Sequence, residues 1–467
     1  MSGNDPTVLI VGAGPAGTRA AGTLVDRGLA PIVVDEGARS GGQIYRRPPE
    51  GFRRPAAALY GFEAGKAKAV HGAFDRLRER IDYRPDTLIW NIEGGAAQTL
   101  GPDGIGRIAF DAVILATGAM DRIIPFPGWM LPGVFTMGGS QVALKAQGCA
   151  IGDRVVFMGT GPLLYLVAYQ YAHAGARVAA VLDTSHLSQA IPVFPGLLSG
   201  GRTFAKGVWY MTWLRAAGIP VRAGITPVAA EGDSALEAVR YRDRRGREHR
   251  VACTGLGIGY SVKSEVQLAE LAGCEMAFDP LAQQWLPQAD EDGRALAGSV
   301  YLAGDGAGVA GADAAELRGR LAALALLADS GIAIDRAHQA RLRAKLRRVM
   351  RFRNALERAL PAPFHLARTL PDETVICRCE AITAGDIREG RALSPAEMNR
   401  AKAFTRVGMG RCQGRVCGLA AAQILADARG CAVEEVGRLR GQAPVKPLSI
   451  RAGAEAADED RSMAASI

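Results

Sequence analysis

The feature that most constrains the fold is a glycine-rich turn near the N-terminus, where the run GAGPAG occupies residues 12–17. Residues 7–11 before it form a β-branched and aliphatic run that is typical of a buried strand. The residues after it predict a helix to about Arg27, which Gly28 ends, and residues 32–34 predict the next strand. Together these segments predict a βαβ unit of the dinucleotide-binding type.

Each glycine of this turn has a physical role in such a unit. The first permits a tight bend, the second lets the backbone approach a pyrophosphate, and the third lets helix and strand pack closely. The phosphate would lie at the helix N-terminus, where free N–H groups favour an anion. A carboxylate at the end of the second strand can hydrogen-bond a ribose diol. The predicted dinucleotide site therefore contains Gly12, Gly14, Pro15, Ala16, Gly17, Asp35 and Glu36.

Motifs later in the chain indicate FAD as the dinucleotide. The pair Gly304-Asp305 follows the strand-like run VYLA and precedes another glycine-rich helix start. In two-Rossmann flavoproteins a late turn of this kind directs a carboxylate at the ribityl chain of FAD, although Asp305 could also be an ordinary helix N-cap. Runs beginning at Gly41 and Ala116 resemble the same proteins. These motifs add Gly42, Gln43, Thr117, Gly118, Gly304 and Asp305 to the predicted FAD site.

A second βαβ unit departs from the pattern. It is predicted from a strand at 154–158, the turn GTGPLL at 159–164 and a strand at 178–182. Leu164 stands where the third glycine belongs, so helix and strand cannot approach as closely. Asp183 could hold a ribose, but no basic cluster after Leu182 would grip a 2′-phosphate. A mainly structural role is favoured, and use of NAD(P)H stays an alternative.

Two such units predict an α/β protein with a two-Rossmann, glutathione-reductase-like FAD/NAD(P)-binding fold and a small, mainly helical C-terminal domain. The proline-rich segment 124–133 disfavours helix and central strand, which places a boundary there. The predicted limits are 1–125 with 290–330 for the FAD-binding domain, 126–289 for the second Rossmann domain, 331–370 for a basic helical linker, 371–447 for the cysteine-containing domain and 448–467 for a disordered tail.

Charge and hydropathy narrow the partners and the compartment. The net charge is +9, and residues 336–358 hold nine Lys or Arg against one acid, Glu357. This is a solvated helix face or a docking surface, and the lack of interleaved aromatics disfavours nucleic acid. No apolar run approaches the length of a membrane span, and the N-terminus lacks a basic signal-peptide region. We therefore expect a cytoplasmic protein with no integral membrane segment, whose eight cysteines stay reduced.

Four cysteines form two local pairs near the C-terminus. Cys377 and Cys379 form C-x-C, and Cys412 and Cys417 form C-x4-C. Four thiolates can hold a [2Fe-2S] cluster or a zinc ion, but C-x-C strains a zinc knuckle. Glycines crowd the second pair and would present backbone N–H groups to cluster sulfurs. The cluster is favoured, with Cys431 outside it, and three further cysteines are expected to be small buried residues: Cys149, Cys253 and Cys274.

Specific runs give the whole chain a family resemblance. CRCE at 377–380 and TRVGMGRCQGRVC at 405–417 resemble the bacterioferritin-associated-ferredoxin (BFD) type of [2Fe-2S] module. GGQIYRRP at 41–48, PFPGWMLPGV at 125–134 and GTGPLL at 159–164 resemble FAD-dependent A (α) subunits of multi-subunit amine or imino-acid dehydrogenases. That family includes the opine oxidase A subunits, the hydrogen cyanide synthase B subunits and the D-hydroxyproline dehydrogenase α subunits, with the α chain of sarcosine oxidase more distant.

The resemblance implies a division of labour between subunits. A D-amino-acid-oxidase-like β flavoprotein would oxidise the C–N bond of an amino acid, opine or similar secondary amine. This chain would carry the electrons through FAD and the [2Fe-2S] cluster, within an oxidoreductase acting on CH–NH donors. The family further implies a small ferredoxin-like γ subunit, together with FMN at an interface between subunits.

Two other functions stay open at this stage. One is a stand-alone NAD(P)H-dependent FAD reductase that passes electrons to the cluster, and the other is a non-catalytic scaffold that bears cofactors. The residues offer no convincing nucleophile, general base or substrate pocket, so no catalytic residue is predicted. The absence of such residues from the prediction fits a substrate site that lies on a partner subunit.

Overall fold

The computed structural model describes residues 5–52, 54–393 and 397–449. Its strands are β1 (Val8–Val11), β2 (Ile32–Val34), β3 (Asp82–Arg84), β4 (Leu88–Glu93), β5 (Ala96–Gly101), β6 (Gly104–Ala109), β7 (Ala112–Leu115), β8 (Ala119–Asp121), β9 (Val134–Thr136), β10 (Val155–Thr160), β11 (Val178–Asp183), β12 (Val221–Ala223), β13 (Thr226–Glu231), β14 (Ala238–Arg242), β15 (Glu248–Ala252), β16 (Gly255–Tyr260), β17 (Val262–Ser264), β18 (Met276–Asp279), β19 (Gln284–Pro287), β20 (Val300–Leu302), β21 (Val375–Cys377) and β22 (Ile382–Thr383). Its α-helices are α1 (Pro15–Val25), α2 (Ala56–Tyr60), α3 (Ala64–Leu77), α4 (Met137–Ala146), α5 (Pro162–His173), α6 (Phe194–Leu198), α7 (Arg202–Ala216), α8 (Gln267–Leu271), α9 (Ala312–Asp329), α10 (Arg336–Ala359), α11 (His365–Arg368), α12 (Ala384–Leu393), α13 (Met398–Thr405) and α14 (Gly418–Arg429).

The first sheet is built around the GAGPAG turn. Its five strands lie in the order β20-β7-β1-β2-β3 and all neighbours are parallel. β1 and β7 are buried along their whole length, as expected for a parallel sheet covered on both faces. Helices α1 and α9 pack on one face, with Leu24, Leu321 and Leu326 in the shared core. The late strand β20 thus returns to the sheet that the N-terminus begins.

The second sheet repeats this architecture with a different set of residues. Its strands lie in the order β12-β11-β10-β16-β9, again all parallel. Every residue of β10 and β16 is buried. Two antiparallel three-stranded sheets, β4-β5-β6 and β13-β14-β15, accompany the two parallel ones. The predicted two-Rossmann fold class is confirmed by this arrangement.

The chain passes between the two parallel sheets twice, along strands that pair with each other. β8 leads from the first sheet and β17 leads back, and they are antiparallel, with Met120 opposite Lys263. A glycine-rich turn, Gly304 to Ala307, follows β20 and completes the first sheet's carboxyl edge. β8 and β17 therefore lie next to the edge where the glycine turn of β1 begins.

The C-terminal residues form a small unit of short helices and one two-stranded sheet. The core of this unit contains Ile376, Cys377, Cys417, Ala421 and Ile424 together with buried residues of the preceding chain, Ile124 and Tyr260. The indole Nε1 of Trp129 donates to the carbonyl oxygen of Val375 at 2.8 Å. The cysteine-containing unit thus packs against the proline-rich segment.

The basic segment is one continuous helix, α10, which begins after Asp335. The Asp335 side chain accepts a hydrogen bond from the backbone N–H of His338 at 2.9 Å and so caps the helix. Phe352 and Ala355 are buried against Leu197 in a core of their own. Arg343 Nε contacts the buried carboxylate of Asp292 at 2.7 Å. α10 is therefore anchored on one side by apolar and ionic contacts.

Some expectations remain as predictions at this level. The five domain limits predicted from the sequence stay predictions, because the order of the strands does not test them. Of the predicted tail, residues 450–467 lie outside the described residues. Over the described ranges, no helix combines the length and apolar character needed to cross a membrane.

Candidate redox site

The GAGPAG turn separates glycines that the fold itself requires from one that it does not. Gly12 has a φ of +106°, and a Cβ there would meet the Ala116 carbonyl oxygen at 2.5 Å. A Cβ at Gly17 would overlap the carbonyl oxygen of Gly12. At Gly14 the nearest protein atom to a Cβ would be Gly42 Cα, at 3.6 Å. Of the three, Gly14 alone is left free by its protein neighbours, as expected where a ligand approaches the backbone.

The two carboxylates after β2 have different positions. Asp35 is largely buried, and its Oδ2 accepts from the backbone N–H of Ala13 at 2.6 Å, while Oδ1 accepts from Gly37 at 2.7 Å. Burial raises the pKa of Asp35, and those backbone hydrogen bonds oppose the shift. Asp35 thus braces the turn, and a carboxylate retains lone pairs for a ribose. Glu36 is half exposed and pairs with Lys446.

The other predicted FAD-binding residues lie around the same turn. Gly41 donates its backbone N–H to Ala13 at 2.9 Å, which brings Gly42 against Gly14. Gly304 lies against Ala16, where an added Cβ would be 2.9 Å from the Ala16 Cβ. The residues around Gly42 and the turn after β20 therefore both lie against the glycine turn that follows β1.

Asp305, Thr117 and Gln43 complete the set, and each has a partner within the protein. Asp305 Oδ1 accepts from the backbone N–H groups of Ala310 and Gly311, each at 2.9 Å, so it orders the loop before α9. Thr117 Oγ1 donates to the carbonyl oxygen of Glu265 at 2.7 Å. Gln43 accepts from Arg46 at 2.6 Å.

In the second glycine turn, residues 159–164, two side chains of the following helix α5 occupy positions that matter for nucleotide binding. Gly159 and Gly161 have positive φ, and Leu164 is completely buried at the third position. Tyr165 directs its hydroxyl at the carboxylate of Asp183, which is 1% exposed. Burial raises the pKa of Asp183. The acid that would hold a ribose in this unit is therefore covered by Tyr165.

The four predicted ligand cysteines come from two loops that approach closely. Cys377 ends β21 and Cys417 precedes α14, and both are buried, whereas Cys379 is exposed and Cys412 is intermediate. A Cβ at Gly410 would overlap the Cys379 Cβ, so glycine is needed where the loops meet. C-x-C and C-x4-C are thus neighbours in space.

The thiols contact one another as a series of pairs. A hydrogen bond from Cys417 is the main cause that lowers the pKa of Cys377 to about 6 and that of Cys412 to about 5. Cys412 is also hydrogen-bonded to Cys379. The pKa of Cys417 is raised because it is the shared donor. The series Cys379, Cys412, Cys417, Cys377 contains all four predicted ligands.

The four thiols are not arranged around one point at which a single metal ion could lie. Within the ranges that the structure describes, no group of three or more His, Cys, Asp or Glu side chains is arranged to hold a single metal ion. A zinc ion held by four cysteines needs the four sulfurs at about 2.3 Å in a tetrahedral arrangement. The hydrogen bonds between the thiols instead link them one to the next, from Cys379 through Cys412 and Cys417 to Cys377.

The other four cysteines differ in their exposure to solvent, and the sequence predicts this only in part. Cys253 and Cys274 are buried, and burial raises the pKa of each to about 11. The expectation that Cys149 is buried is wrong, because it is exposed. It follows the end of α4 in a turn at Gly148, where φ is +70°, and this turn carries the chain to the surface. Cys431 lies outside the thiol series and is partly exposed.

A short segment at β17 and the residues after it connect the two predicted cofactor sites. Ser264 Oγ donates to the carbonyl oxygen of Asp305 at 2.6 Å, and the Glu265 backbone N–H donates to Gly118 at 3.0 Å. Glu265 Oε2 pairs with Arg415 Nε at 2.7 Å, between the second pair of cysteines. Gln267 Nε2 donates to the carbonyl oxygen of Gln413 at 2.8 Å.

Sequence reasoning missed this segment, which we call the 263–267 connector. Its polar residues have no motif of their own. The one available signal is a lysine, Lys263, after a run that is otherwise typical of a buried strand (GIGYSV). An isolated charge in such a place indicates a buried and partnered group.

Comparison with known proteins agrees with the class that the fold and site define, a two-Rossmann oxidoreductase. Residues 6–326 match the family model for pyridine nucleotide-disulphide oxidoreductases, and residues 372–458 match that for the sarcosine oxidase A3 domain. The L-proline dehydrogenase of P. horikoshii has the same fold, with a TM-score of 0.71, 19% identity, and coverage of 96% of this chain and 79% of that one.

Relatives of higher identity define the family more narrowly. The A subunit of the opine oxidase of Rhizobium meliloti is 38% identical over 95% of this chain and 86% of its own length. The HcnB subunit of the hydrogen cyanide synthase of Pseudomonas protegens is 32% identical over 95% of this chain and 96% of its own length. The chain belongs to the pyridine nucleotide-disulphide oxidoreductase family and, within it, to the group of opine oxidase A subunits and HcnB. The predicted family is thereby confirmed.

Proposed function

We propose that this chain is the electron-transfer subunit, with FAD and a [2Fe-2S] cluster, of a heteromeric amine dehydrogenase or oxidase. The substrate would be an opine, D-hydroxyproline or a similar secondary amine, oxidised on a partner β subunit. The names of the relatives, the A subunits of opine oxidases among them, support a multi-subunit enzyme that acts on CH–NH donors. The weak similarity to the alpha subunit of sarcosine oxidase, 23% over 95% of this chain, points the same way.

The observation that carries the proposal is the 263–267 connector. Its Ser264 and Glu265 contact three of the predicted FAD-binding residues, Thr117, Gly118 and Asp305. Its Glu265 and Gln267 side chains contact the loop that holds Cys412 and Cys417. A protein whose only task was to bind either cofactor would not need these contacts. They support electron transfer between two cofactors that would lie on opposite sides of one short stretch of chain.

The residues at the first turn fit FAD. The space left at Gly14, the bracing of the turn by Asp35 and the free end of α1 suit a pyrophosphate with an attached ribose. The predicted contact residues are Gly12, Gly14, Pro15, Ala16, Gly17, Asp35, Glu36, Gly42, Gln43, Thr117, Gly118, Gly304 and Asp305. Bound FAD would accept two electrons together and release them singly, which suits a one-electron cluster.

The cysteine pairs fit a [2Fe-2S] cluster better than zinc. The four thiols form one series, in which Cys417 is hydrogen-bonded to both Cys377 and Cys412 and Cys412 also to Cys379, so that all four could hold one two-iron cluster. The lowered pKa values of Cys377 and Cys412 favour the thiolate form that a metal requires, whereas Cys417, whose pKa is raised, would have to lose its proton when a metal binds. We propose these four residues as the ligands and leave Cys431 outside.

The structure offers less support for the two other functions. An NAD(P)H reductase needs an accessible ribose site in the second unit, but Tyr165 covers Asp183 there. A scaffold that only bears cofactors needs no contact between them, which the connector supplies. We therefore propose that the partner subunit, and not NAD(P)H, supplies the electrons that reduce the FAD of this chain.

The remaining parts of the proposal concern the surroundings of the chain. All eight cysteines are free of disulfides, as in a cytoplasmic protein. The proposed partner is a D-amino-acid-oxidase-like β subunit, with FMN at the interface. The proposed complex further contains a small ferredoxin-like γ subunit. Residues 371–447 are proposed as the [2Fe-2S] domain.

The proposal is tested by separating the subunits. This chain and its D-amino-acid-oxidase-like β partner are purified alone and as a co-expressed complex, and opines or D-hydroxyproline are added without oxygen. The amine should bleach the flavin absorbance and develop the cluster EPR signal of this chain only in the complex. Reduction of the isolated chain by an amine would contradict the division of labour.

A further inference from the structure

Lys263 of the 263–267 connector is a buried cation without a carboxylate of its own. It is 8% exposed and lies in β17, opposite Met120 of β8. The nearby carboxylate of Glu265 is already paired with Arg415 at 2.7 Å. Among the residues that the structure describes, the Lys263 ammonium forms no ion pair. A buried charge in this position is costly unless an opposite charge faces it.

A second buried cation, Arg122, increases this excess of positive charge. It is 2% exposed, and its Nη2 donates to the carbonyl oxygen of Ala282 at 2.9 Å. Its Nε and Nη1 have no hydrogen-bond partner in the described residues. The guanidinium lies 5.1 Å from the centre of the Phe364 ring, which offers only a weak attraction. Lys263 and Arg122 repel each other, so neither neutralises the other.

The connector brings Lys263 to the second cysteine loop, because Glu265 pairs with Arg415 and Gln267 donates to Gln413, and both partners lie between Cys412 and Cys417. Burial lowers the pKa of Lys263 to about 8 and Arg122 lowers it as well, whereas Glu265, Cys417 and Cys412 raise it. Of these, Cys412 and Cys417 are the predicted ligands on the connector's side. An assembled [2Fe-2S] cluster with four thiolates has a net negative charge, and reduction by one electron increases it.

We propose that Lys263 is a positioning residue for the cluster, whose fixed positive charge balances the thiolates and raises the cluster's reduction potential. The inference rests on the proposed function, because it needs the cluster to be bound. A nearby cation stabilises the reduced cluster more than the oxidised one, since the reduced cluster is the more negative. The connector also hydrogen-bonds the predicted FAD site through Ser264, so its cation lies on the side from which electrons would arrive.

The test uses the full chain and three substitutions. Lys263→Met removes the charge at similar length, and Lys263→Arg retains it. Lys145→Met is the matched control, because Lys145 is also buried, at 2% exposure, with a pKa lowered to about 8 by burial. Its ammonium contacts the Ile44 carbonyl oxygen at 3.3 Å and the Tyr60 ring, not the cysteines. Iron and sulfide are measured in each protein, followed by a redox titration monitored by the [2Fe-2S] EPR signal.

The expected result is a lower potential in Lys263→Met alone. The equilibrium constant for reduction should fall at least about tenfold, or about 59 mV for one electron. Loss of the cluster from Lys263→Met but not from Lys263→Arg would also support the role of the charge. An unchanged potential in Lys263→Met, or equal loss of the cluster from both variants, would overturn the inference. Absence of iron and sulfide from the unsubstituted chain would instead refute the proposed function.

Discussion

Arg415 and Glu265 form an ion pair that fixes the second cysteine loop to the strand connecting the two Rossmann units. Arg415 Nε lies 2.7 Å from Glu265 Oε2, and the side chains are 10% and 17% exposed. Arg415 stands between Cys412 and Cys417, and the Glu265 backbone contacts Thr117 and Gly118. One residue pair thus relates the predicted cluster to the predicted flavin site.

Loss of this pair should destabilise the fold. Glu265→Gln leaves the Arg415 cation partly buried and unpaired, at a cost of about 2–3 kcal/mol, below the range for fully buried pairs. Urea denaturation followed by tryptophan fluorescence measures the change. The matched control is Glu248→Gln, since Glu248 pairs with Arg240 at the surface with side chains 38% and 41% exposed. That change should cost much less, because solvent screens the exposed pair. Equal effects of the two substitutions would show that the buried pair has no special role.

Substitution of Gly14 should remove FAD and leave the fold intact. A Cβ there would lie no closer than 3.6 Å to any protein atom outside its chain neighbours, but the side chain would occupy the place of the pyrophosphate. Gly14→Val should therefore purify without flavin and with an unchanged far-UV circular dichroism spectrum. Gly22→Ala, on the same helix with Leu77 3.7 Å away, is the control and should retain flavin. Full, tight FAD binding by Gly14→Val would show that the site is misplaced.

Reduced nicotinamides should be poor donors to the isolated chain. Leu164 fills the third glycine position, and the carboxylate of Asp183 is engaged by Tyr165 and by the Ser185 backbone N–H at 2.8 Å. Anaerobic mixing with NADH or NADPH at micromolar concentrations should leave the flavin absorbance almost unchanged, with dithionite as the positive control. Rapid bleaching by either nucleotide would favour the reductase function.

The parts of the site that the sequence predicts are those with local steric causes. Gly12 and Gly17 are required because a Cβ would collide with backbone of the first Rossmann unit, so the motif alone identifies the turn. C-x-C and C-x4-C likewise carry their spacing in the chain. The leucine at position 164 likewise departs from the motif within the chain, and it predicts a second unit with a mainly structural role.

The parts that the sequence does not predict depend on contacts between distant residues. Glu265 and Arg415 are 150 residues apart, and neither belongs to a motif that predicts their contact. The covering of Asp183 by Tyr165 depends on the direction of one side chain on α5. The exposure of Cys149 depends on where the chain turns after α4. Residue type and spacing carry no information on these points, because tertiary packing decides them.

The metal content of the purified chain, and its dependence on single cysteines, decides whether the chain holds a [2Fe-2S] cluster. The purified chain should contain two irons and two inorganic sulfides, and it should show a [2Fe-2S] EPR signal after reduction. Serine at Cys377, Cys379, Cys412 or Cys417 should remove most of the iron, whereas Cys431→Ser should retain it. One zinc per chain with no iron or sulfide would rule out the cluster and the electron-transfer role, and leave a flavoprotein with a structural metal.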